Sequence, residues 1–353
     1  MRAALGIIEG FYGKPWSWAA RAETAAFLAP HGYGFYYYAP KADPYLRERW
    51  QEDHPSDMAE HLRMFAARCR ELDVRFGVGL SPFEIYRDFG RDARAALVRK
   101  LAFLKDVGID DLAILFDDMR GDIPGLAETQ VGILHWIAER TSAKRLVVCP
   151  TYYSDDPVLD RVFGQRPGNY LEEFGARLDP DIEIFWTGEE VCSREFTVGH
   201  LTRVCNLIGR KPVLWDNYPV NDGKRMSQYL HLRGFTGRPA AIADVISAHA
   251  INPALQPVLS RIPALTLAAS YASGDAYEYG RALAFAASDV AGKKLGDMLH
   301  QDILLLQDSG LDRLDTMAER LRKRYSEFDH PAAREVLAWL DGEYRFEALA
   351  PTS

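Results

Sequence analysis

The 353-residue chain has few cysteines, no basic excess and no long apolar stretch. Its four cysteines (Cys69, Cys149, Cys192 and Cys205) lack metal-ligand spacing, so we expect buried, reduced thiols rather than a disulfide framework or zinc site. A formal net charge of −8 argues against nucleic acid as a partner, because a phosphate-binding surface needs cations.

Apolar runs in the sequence are too short for a membrane span or a secretory signal. Glu9 interrupts the only apolar run near the N-terminus, and no later run has the length that a bilayer requires. The pattern therefore predicts a cytoplasmic protein without a membrane partner. The GxSxG, HExxH and GxxxxGK[ST] signatures are also missing, and we expect neither a metal ion nor a cofactor.

What the sequence does contain is an alternation of short apolar runs and helix-length amphipathic segments, such as Ser56–Glu71, Asp92–Val107 and Glu128–Arg140. Strands that alternate with helices indicate a parallel sheet, and eight units within about 250 residues are typical of an α/β (β/α)8 TIM barrel. A doubly wound open sheet is the competing architecture. The predicted strands are Ala4–Ile8, Gly34–Tyr38, Val74–Val78, Leu112–Phe116, Leu146–Cys149, Ile182–Trp186, Pro212–Trp215 and Asp244–Ala248.

After about Pro263 the strand pattern stops, and only amphipathic helices follow. These predicted helices are Tyr277–Ala291, Leu295–Gln307, Leu311–Tyr325 and Pro331–Leu340, the last with proline at its first position. The chain thus divides into a catalytic barrel at 1–265 and a C-terminal helical appendage at 266–353. The appendage is equally suited to packing on the barrel and to joining two copies as a homodimer, so the oligomeric state stays open.

Polar and aromatic residues follow the predicted strands, where a parallel barrel places its active site. Carboxylates, amides, a lysine and aromatic rings collect there, and this mixture suits a sugar: aromatic faces cover C–H surfaces while polar groups bind hydroxyls. The segments are Glu9–Gly13, Ala39–Asp43, Phe116–Asp118, Pro150–Tyr153, Trp186–Gly188, Trp215–Asn217, Asn221–Asp222 and Asn252–Pro253.

The adjacent carboxylates Asp117 and Asp118 are the sharpest of these features. Neighbours in a regular strand point to opposite faces, but at a strand end the turning chain can direct both into one pocket. Two close carboxylates titrate together, which can supply an acid beside an anion, as glycosidic cleavage requires. A pair that caps the next helix, or a magnesium site, is the alternative interpretation and is favoured for the dipeptide alone.

Taken in order, the strand-end segments resemble glycoside hydrolase family 84, the β-N-acetylglucosaminidase or protein O-GlcNAcase family. The similarity covers about residues 3–265, and its longest string is Gly6–Trp16. The other matching strings are Tyr38–Asp43, Leu115–Asp118, Cys149–Tyr153, Phe185–Gly188, Val213–Asn217 and Asn252–Pro253.

The resemblance implies a retaining exo-β-N-acetylglucosaminidase in which the substrate's own 2-acetamido group is the nucleophile and forms an oxazoline. By position, Asp117 would orient the acetamido N–H, and Asp118 would act as acid and then as base. Tyr153 would bind the acetamido oxygen, Trp215 would contact the acetyl methyl, and Asn217 would support this group or Asp117. The residues expected to hold the sugar hydroxyls are Asp222, Lys41, Asn252 and the Gly10 carbonyl.

The implied partner is a glycoconjugate with terminal β-linked GlcNAc or an O-GlcNAc-modified protein. Two alternatives remain on sequence grounds: an endo-acting hyaluronan or glycan hydrolase of the same fold, and a non-catalytic GlcNAc-binding barrel. The presence of both Asp117 and Asp118 argues against the binder, since a binder needs no proton donor. A metal-dependent hydrolase is a weaker hypothesis because no histidine cluster accompanies the pair.

Overall fold

The computed structural model describes residues 3–346, and its centre is a closed barrel of eight parallel strands. Each strand pairs with its neighbours in chain order, and β1 closes the ring against β8, with Ala4 opposite Ala248. The strands are β1 (Ala4–Glu9), β2 (Tyr33–Tyr38), β3 (Arg75–Leu80), β4 (Asp111–Leu115), β5 (Arg145–Cys149), β6 (Glu183–Trp186), β7 (Val213–Asp216) and β8 (Ala248–Ile251). This confirms the predicted (β/α)8 barrel.

Every strand overlaps its predicted span, but at β8 the overlap is the single residue Ala248, and the predicted bounds of that strand are wrong. Asp244 ends a 3₁₀ helix, Ala240–Asp244, and the strand is Ala248–Ile251. The strand extends through the polar residue His249, which lies outside the predicted span. In the structure, the His249 ring is fully buried and both nitrogens are bonded, Nε2 to Asp216 Oδ2 at 3.0 Å and Nδ1 to the Tyr271 hydroxyl at 2.8 Å.

Thirteen α-helices surround and follow the strands. They are α1 (Trp18–Leu28), α2 (Ser56–Glu71), α3 (Arg91–Val107), α4 (Leu126–Ala138), α5 (Pro157–Phe163), α6 (Tyr170–Arg177), α7 (Val198–Ile208), α8 (Gly223–Met226), α9 (Arg261–Ser273), α10 (Tyr279–Ala291), α11 (Lys293–Gln301), α12 (Thr316–Tyr325) and α13 (Pro331–Leu340), all among residues 3–346. Ser17 caps α1 and His330 caps α13 by accepting backbone N–H groups, which orphan helix ends require. In the same part of the chain, no helix combines the length and apolar character that crossing a membrane needs.

Hydrogen bonds to Glu9 hold the carboxyl end of β1 to its neighbours β2 and α1. Glu9, fully buried at the end of β1, accepts two hydrogen bonds from Arg21 of α1 (2.7 and 2.6 Å) and one from the Tyr36 hydroxyl (2.8 Å). Such charge-assisted bidentate bonds are directional. They hold β1, β2 and α1 together just before the chain enters the strand-end segment at Gly10.

The helical C-terminal region packs on the barrel rather than standing apart from it. Helix α9 follows β8, as the eighth barrel helix should, and residue 265 lies inside it, so the division at 265 stays a prediction. Glu335 of α13 is buried and accepts the backbone N–H groups of Val258 and Leu259, both at 2.9 Å. Burial raises the pKa of Glu335 to about 7.

Two predicted tail helices are interrupted in the structure. The predicted helix Leu295–Gln307 is α11 followed by a π-helical turn, Leu304–Ser309, and only its second half departs from regular α-helix. The predicted helix Leu311–Tyr325 begins as a 3₁₀ turn before α12. A π-helical turn closes wider rings than an α-helix and is often found at functional sites.

Candidate active site

A cavity of about 700 Å³ opens at the carboxyl ends of the barrel strands. Every residue that the sequence predicted for the site contributes to its lining. These residues are Gly10, Lys41, Asp117, Asp118, Tyr153, Trp215, Asn217, Asp222 and Asn252. The barrel therefore brings together residues from six strand ends, those of β1, β2, β4, β5, β7 and β8.

Asp117 and Asp118 both face this cavity because the chain changes direction after β4. The strand ends at Leu115, and Phe116 still donates to the Cys149 carbonyl at 2.9 Å. Asp118 then adopts a left-handed backbone conformation with φ 56°, which a non-glycine residue seldom takes. A strained conformation of this kind persists where the surroundings hold it, commonly at functional sites.

Asp117 is bonded on one oxygen only. Its Oδ2 accepts a hydrogen bond from Lys41 Nζ, and the Lys41 side chain is only 3% exposed. Its Oδ1 is buried and has no hydrogen-bond partner among the described residues. A buried acceptor without a partner costs free energy, about 1–3 kcal/mol, and such groups call for an explanation. The open oxygen is available to a donor that enters the cavity.

Two tyrosines surround the carboxylate of Asp118. The Tyr12 hydroxyl donates to Oδ2 at 2.7 Å, and the Tyr153 hydroxyl lies 3.3 Å from Oδ1. Burial, reinforced by the negative charge of Asp118, raises the pKa of Tyr12 well above its usual value, so this hydroxyl keeps its proton and remains a donor. Arg47 holds the main chain here, since its Nη2 donates to the Asp118 carbonyl at 3.1 Å.

Sequence reasoning did not assign a role to Tyr12 or Arg47. Tyr12 lies inside the Gly6–Trp16 string, so its place in the first strand-end segment was visible, but the contact partner 106 residues away was not. Arg47 precedes the helix-length segment that follows β2 and carries no motif. Its 7% exposure and its bonds to Ser81 and Asp118 appear only once the barrel is closed.

A chain of hydrogen-bonded amide side chains holds the Trp215 indole in the wall of the cavity. Asn217 Oδ1 accepts from Trp215 Nε1 (3.0 Å) and Asn252 Nδ2 (2.9 Å), while its Nδ2 donates to the Val191 carbonyl (2.8 Å). Asn252 Oδ1 in turn accepts from Gly10 N at 3.2 Å. In this structure Asn217 thus supports the indole, and it makes no hydrogen bond to Asp117.

Glycine is required at position 10 by a close approach. A Cβ placed on Gly10 would lie 2.2 Å from Trp215 Cζ2, so any larger residue would displace the indole. Trp215 is 4% exposed and meets Phe185 edge to face, at 5.3 Å between ring centres. The indole is therefore a rigid apolar wall of the cavity, packed directly against the main chain at Gly10.

Asp222 joins the first and seventh strand-end segments. Its Oδ2 accepts from Tyr12 N at 2.7 Å, which ties the backbone of one segment to the side chain of the other. Burial, together with the charge of Asp118, raises the pKa of Asp222 to about 6. The group therefore changes its charge close to neutral pH.

Cysteines also reach this region, and here one expectation is wrong. Cys69 and Cys149 are buried free thiols, but Cys192 is exposed and Cys205 is half-buried. Cys192 follows Val191 in the segment after β6, which forms part of the cavity wall, and so it faces the open space instead of the core. No group of three or more His, Cys, Asp or Glu side chains within residues 3–346 is arranged to hold a metal ion.

The arrangement as a whole can carry out acid–base chemistry on a ligand held between an apolar wall and two carboxylates. Asp118 has donors on its oxygens and lies beside the cavity, and Asp117 has one oxygen open toward it. Trp215 offers a flat apolar surface, and the amides and Asp222 offer polar contacts. These are the elements of a carbohydrate-processing pocket.

Comparisons with known proteins agree with this geometry. A family model described as beta-N-acetylglucosaminidase matches residues 5–302. The protein O-GlcNAcases of Mus musculus and Rattus norvegicus are each 31% identical over 281 residues, which cover 77% of this chain but 30% of the relative's length. The solved structure of an O-GlcNAc hydrolase mutant from Thermobaculum terrenum has 28% identity and a TM-score of 0.80, covering 96% of this chain and 80% of the other.

Proposed function

This chain belongs to the β-N-acetylglucosaminidase family, and we propose that it is a retaining exo-β-N-acetylglucosaminidase whose nucleophile is the acetamido group of the substrate. It removes terminal β-linked GlcNAc, including O-GlcNAc from serine and threonine of proteins. Two relatives carry the name protein O-GlcNAcase, which supports that substrate class. No cofactor takes part in the proposed reaction.

The observation that carries this proposal is the open Oδ1 of Asp117. An acetamido N–H that enters the cavity would give this buried oxygen its missing partner, while Lys41 keeps Oδ2. The hydrogen bond would turn the acetamido carbonyl oxygen toward the anomeric carbon. Holding the two reacting atoms in this way contributes several kcal/mol to catalysis, and the carboxylate stabilises the positive charge that develops on the ring.

In the first step the acetamido oxygen forms a bond to the anomeric carbon as the glycosidic C–O bond breaks. Asp118 donates its proton to the departing oxygen, which leaves as an alcohol, and the sugar is left as a protonated oxazoline whose N–H still donates to the Asp117 carboxylate. Tyr12 and Tyr153 hold the Asp118 carboxylate from both oxygens. We also assign to Tyr153 a hydrogen bond to the acetamido oxygen of the substrate.

In the second step Asp118, now ionised, takes a proton from water. The hydroxide so formed bonds to the anomeric carbon, the C–O bond of the oxazoline breaks, and the acetamido group is restored. Two displacements at one carbon give net retention, as expected for substrate-assisted glycosidases. Neither Asp117 nor Asp118 bonds covalently to the sugar.

The remaining predicted residues hold the terminal sugar. Trp215 would contact the acetyl methyl, and Asn217 would keep its indole in place. Asp222, Asn252, Lys41 and the Gly10 carbonyl are proposed to bind the hydroxyls. Because Asn252 and the Lys41 side chain are buried, a sugar bound to them would end inside the cavity, which favours exo over endo cleavage.

Hydrolysis of an aryl β-N-acetylglucosaminide by the purified protein tests the proposed function. We expect turnover that an Asp118→Ala control lacks. Wild-type turnover no higher than this control would refute it, and calorimetric binding of GlcNAc without turnover would instead indicate a non-catalytic binder. Sizing the products from an oligosaccharide separates release of single sugars from internal cleavage of hyaluronan or another glycan.

The role of Asp118 has its own test. Asp118→Asn should lose most of kcat on substrates with poor leaving groups but much less on activated aryl substrates, because those leave without a proton. Equal losses on both kinds of substrate would exclude Asp118 as the acid.

A cytoplasmic location and a dimer through the helical tail stay predictions, which cell fractionation and light scattering can examine.

A further inference from the structure

One wall of the cavity belongs to an irregular segment, residues 227–239, between α8 and the 3₁₀ helix before β8. It contributes the lining residues His231, Arg233, Gly234, Phe235 and Thr236, although it has no helix or strand of its own. We name it the wall segment. A segment without regular hydrogen bonding needs other partners for its backbone if it is to keep one shape.

Those partners come from the C-terminal helical region. Gln307, in the π-helical turn Leu304–Ser309, accepts two backbone N–H groups of the wall segment through Oε1, from Leu232 at 2.7 Å and Arg233 at 2.8 Å. Two main-chain bonds flank this contact: Leu230 N donates to the Leu306 carbonyl, and Leu311 N donates to the Gln228 carbonyl, both at 2.9 Å. Leu306 is fully buried at the same junction.

Gln307 also connects the wall segment to the catalytic strand end. Its Nε2 lies 3.4 Å from the Tyr218 hydroxyl, which itself donates to the Arg233 carbonyl at 2.7 Å. Tyr218 directly follows Asn217, the residue that holds Trp215. The three side chains Gln307, Tyr218 and Arg233 all line the cavity.

We propose that Gln307 is a positioning residue of the active site, so that the C-terminal helical region completes the substrate pocket. Gln307 holds the wall segment by its backbone and thereby sets the shape of the pocket that receives the sugar and its aglycone. The expected change in KM rests on the proposed function. The expected change in amide hydrogen exchange does not depend on catalysis.

The experiment compares Gln307→Leu, Gln307→Glu and Asp308→Asn with the wild type. Leucine has similar volume but no acceptor, so two backbone N–H groups lose their partner; glutamate keeps the acceptors. Asp308 is the matched control, because its bidentate bonds to Arg233 (2.7 and 2.6 Å) are half exposed, and exposed ion pairs contribute little.

On an activated aryl β-N-acetylglucosaminide we expect Gln307→Leu to raise KM about tenfold or more, with a much smaller change in kcat, since two backbone N–H groups of the wall segment lose their acceptor and the segment no longer keeps one shape. Gln307→Glu should restore KM to within about threefold of wild type, and Asp308→Asn should leave it unchanged. Amide hydrogen exchange should rise at Leu232 and Arg233 in Gln307→Leu, without a rise in the barrel strands.

An unchanged KM in folded Gln307→Leu would overturn the inference, and so would a glutamate variant as impaired as the leucine variant. Unchanged exchange at Leu232 and Arg233 would show that Gln307 does not hold the segment. If the wild type turns over no aryl substrate, the proposed function fails, and the exchange data still decide whether Gln307 positions the wall segment.

Discussion

Two aspartates lie at the carboxyl ends of apolar strands in this barrel. They differ in how many of their side-chain oxygens have a hydrogen-bond partner within the protein. Asp216, at the end of β7, is fully buried and saturated: Arg238 donates to both oxygens at 2.8 and 2.9 Å, and His249 donates to Oδ2 at 3.0 Å. Asp117, after β4, has a cation on one oxygen and an unpartnered buried oxygen on the other.

The difference separates a structural carboxylate from one arranged for a ligand. All the hydrogen bonds that Asp216 needs are supplied within the protein, and the Arg238 guanidinium, together with the hydrogen bond from His249, lowers the pKa of Asp216 despite complete burial. Asp117 keeps an oxygen free at a cost in stability, which makes sense where a substrate group supplies the missing donor. Burial and a cationic neighbour alone would not have distinguished the two.

The largest effect on kcat is expected for Asp117→Asn, which changes the aspartate that has an oxygen open to the cavity. The amide cannot act as a charged acceptor for the acetamido N–H, so kcat should fall by about 10³-fold, equivalent to about 4 kcal/mol. The melting temperature should fall less than in Asp216→Asn, because Lys41 Nζ still has a second carboxylate near it, Asp118 Oδ2 at 3.9 Å. Steady-state kinetics and a thermal melt of the same preparation check both statements, and a variant with near-normal kcat would contradict the role of Asp117.

Asp216→Asn changes the aspartate whose two oxygens are both bonded within the protein, and it should lower the free energy of unfolding rather than kcat. It leaves the Arg238 guanidinium, whose side chain is 5% exposed, without a counter-charge, and removing one partner of a buried pair costs about 3–5 kcal/mol. Denaturant unfolding measures this loss. Per folded molecule, kcat should stay within about threefold of wild type. Equal free energies of unfolding for the variant and the wild type would contradict the structural role of Asp216.

Tyr12→Phe sharpens the comparison at the neighbouring carboxylate. It removes the 2.7 Å donor to Asp118 Oδ2 while keeping the ring, and a hydrogen bond to a charged group contributes about 1.5–3 kcal/mol. We expect kcat to drop at least about tenfold. Tyr33→Phe is the matched control, because its hydroxyl bonds the Ala264 carbonyl at 2.8 Å at the other end of the barrel. The control should lose stability only, and equal kinetic losses in both variants would argue against Tyr12.

The smallest effect is a pH dependence at Asp222. Its pKa of about 6 means that the carboxylate is ionised above that pH and neutral below it. Sugar hydroxyls donate best to the ionised form, so kcat/KM should fall as pH drops through 6, by about fourfold from pH 7 to 5.5 for a single group. Asp222→Asn should have lower kcat/KM throughout and lack this limb. An unchanged limb in Asp222→Asn would assign it to another group.

Local patterns in the sequence were enough for much of the fold and the site. Apolar runs alternating with amphipathic helices indicated the barrel, because each run is a strand that buries both faces. The strand-end segments indicated Asp117, Asp118, Lys41 and Trp215, because parallel strands in a closed ring bring their carboxyl ends together. The predicted β8 span stopped before His249, and this polar residue is accommodated in the buried strand by hydrogen bonds with Asp216 and Tyr271, which belong to other elements of the barrel.

By itself, therefore, the sequence determined which elements form and which residues arrive at the mouth of the barrel, since both follow from local periodicity and order along the chain. Only the tertiary structure decided which carboxylate is saturated and which is open. It also decided that Tyr12 reaches Asp118 and that Gln307 holds the wall segment. Those contacts join residues about a hundred positions apart or meet backbone groups, and neither leaves a pattern in the sequence.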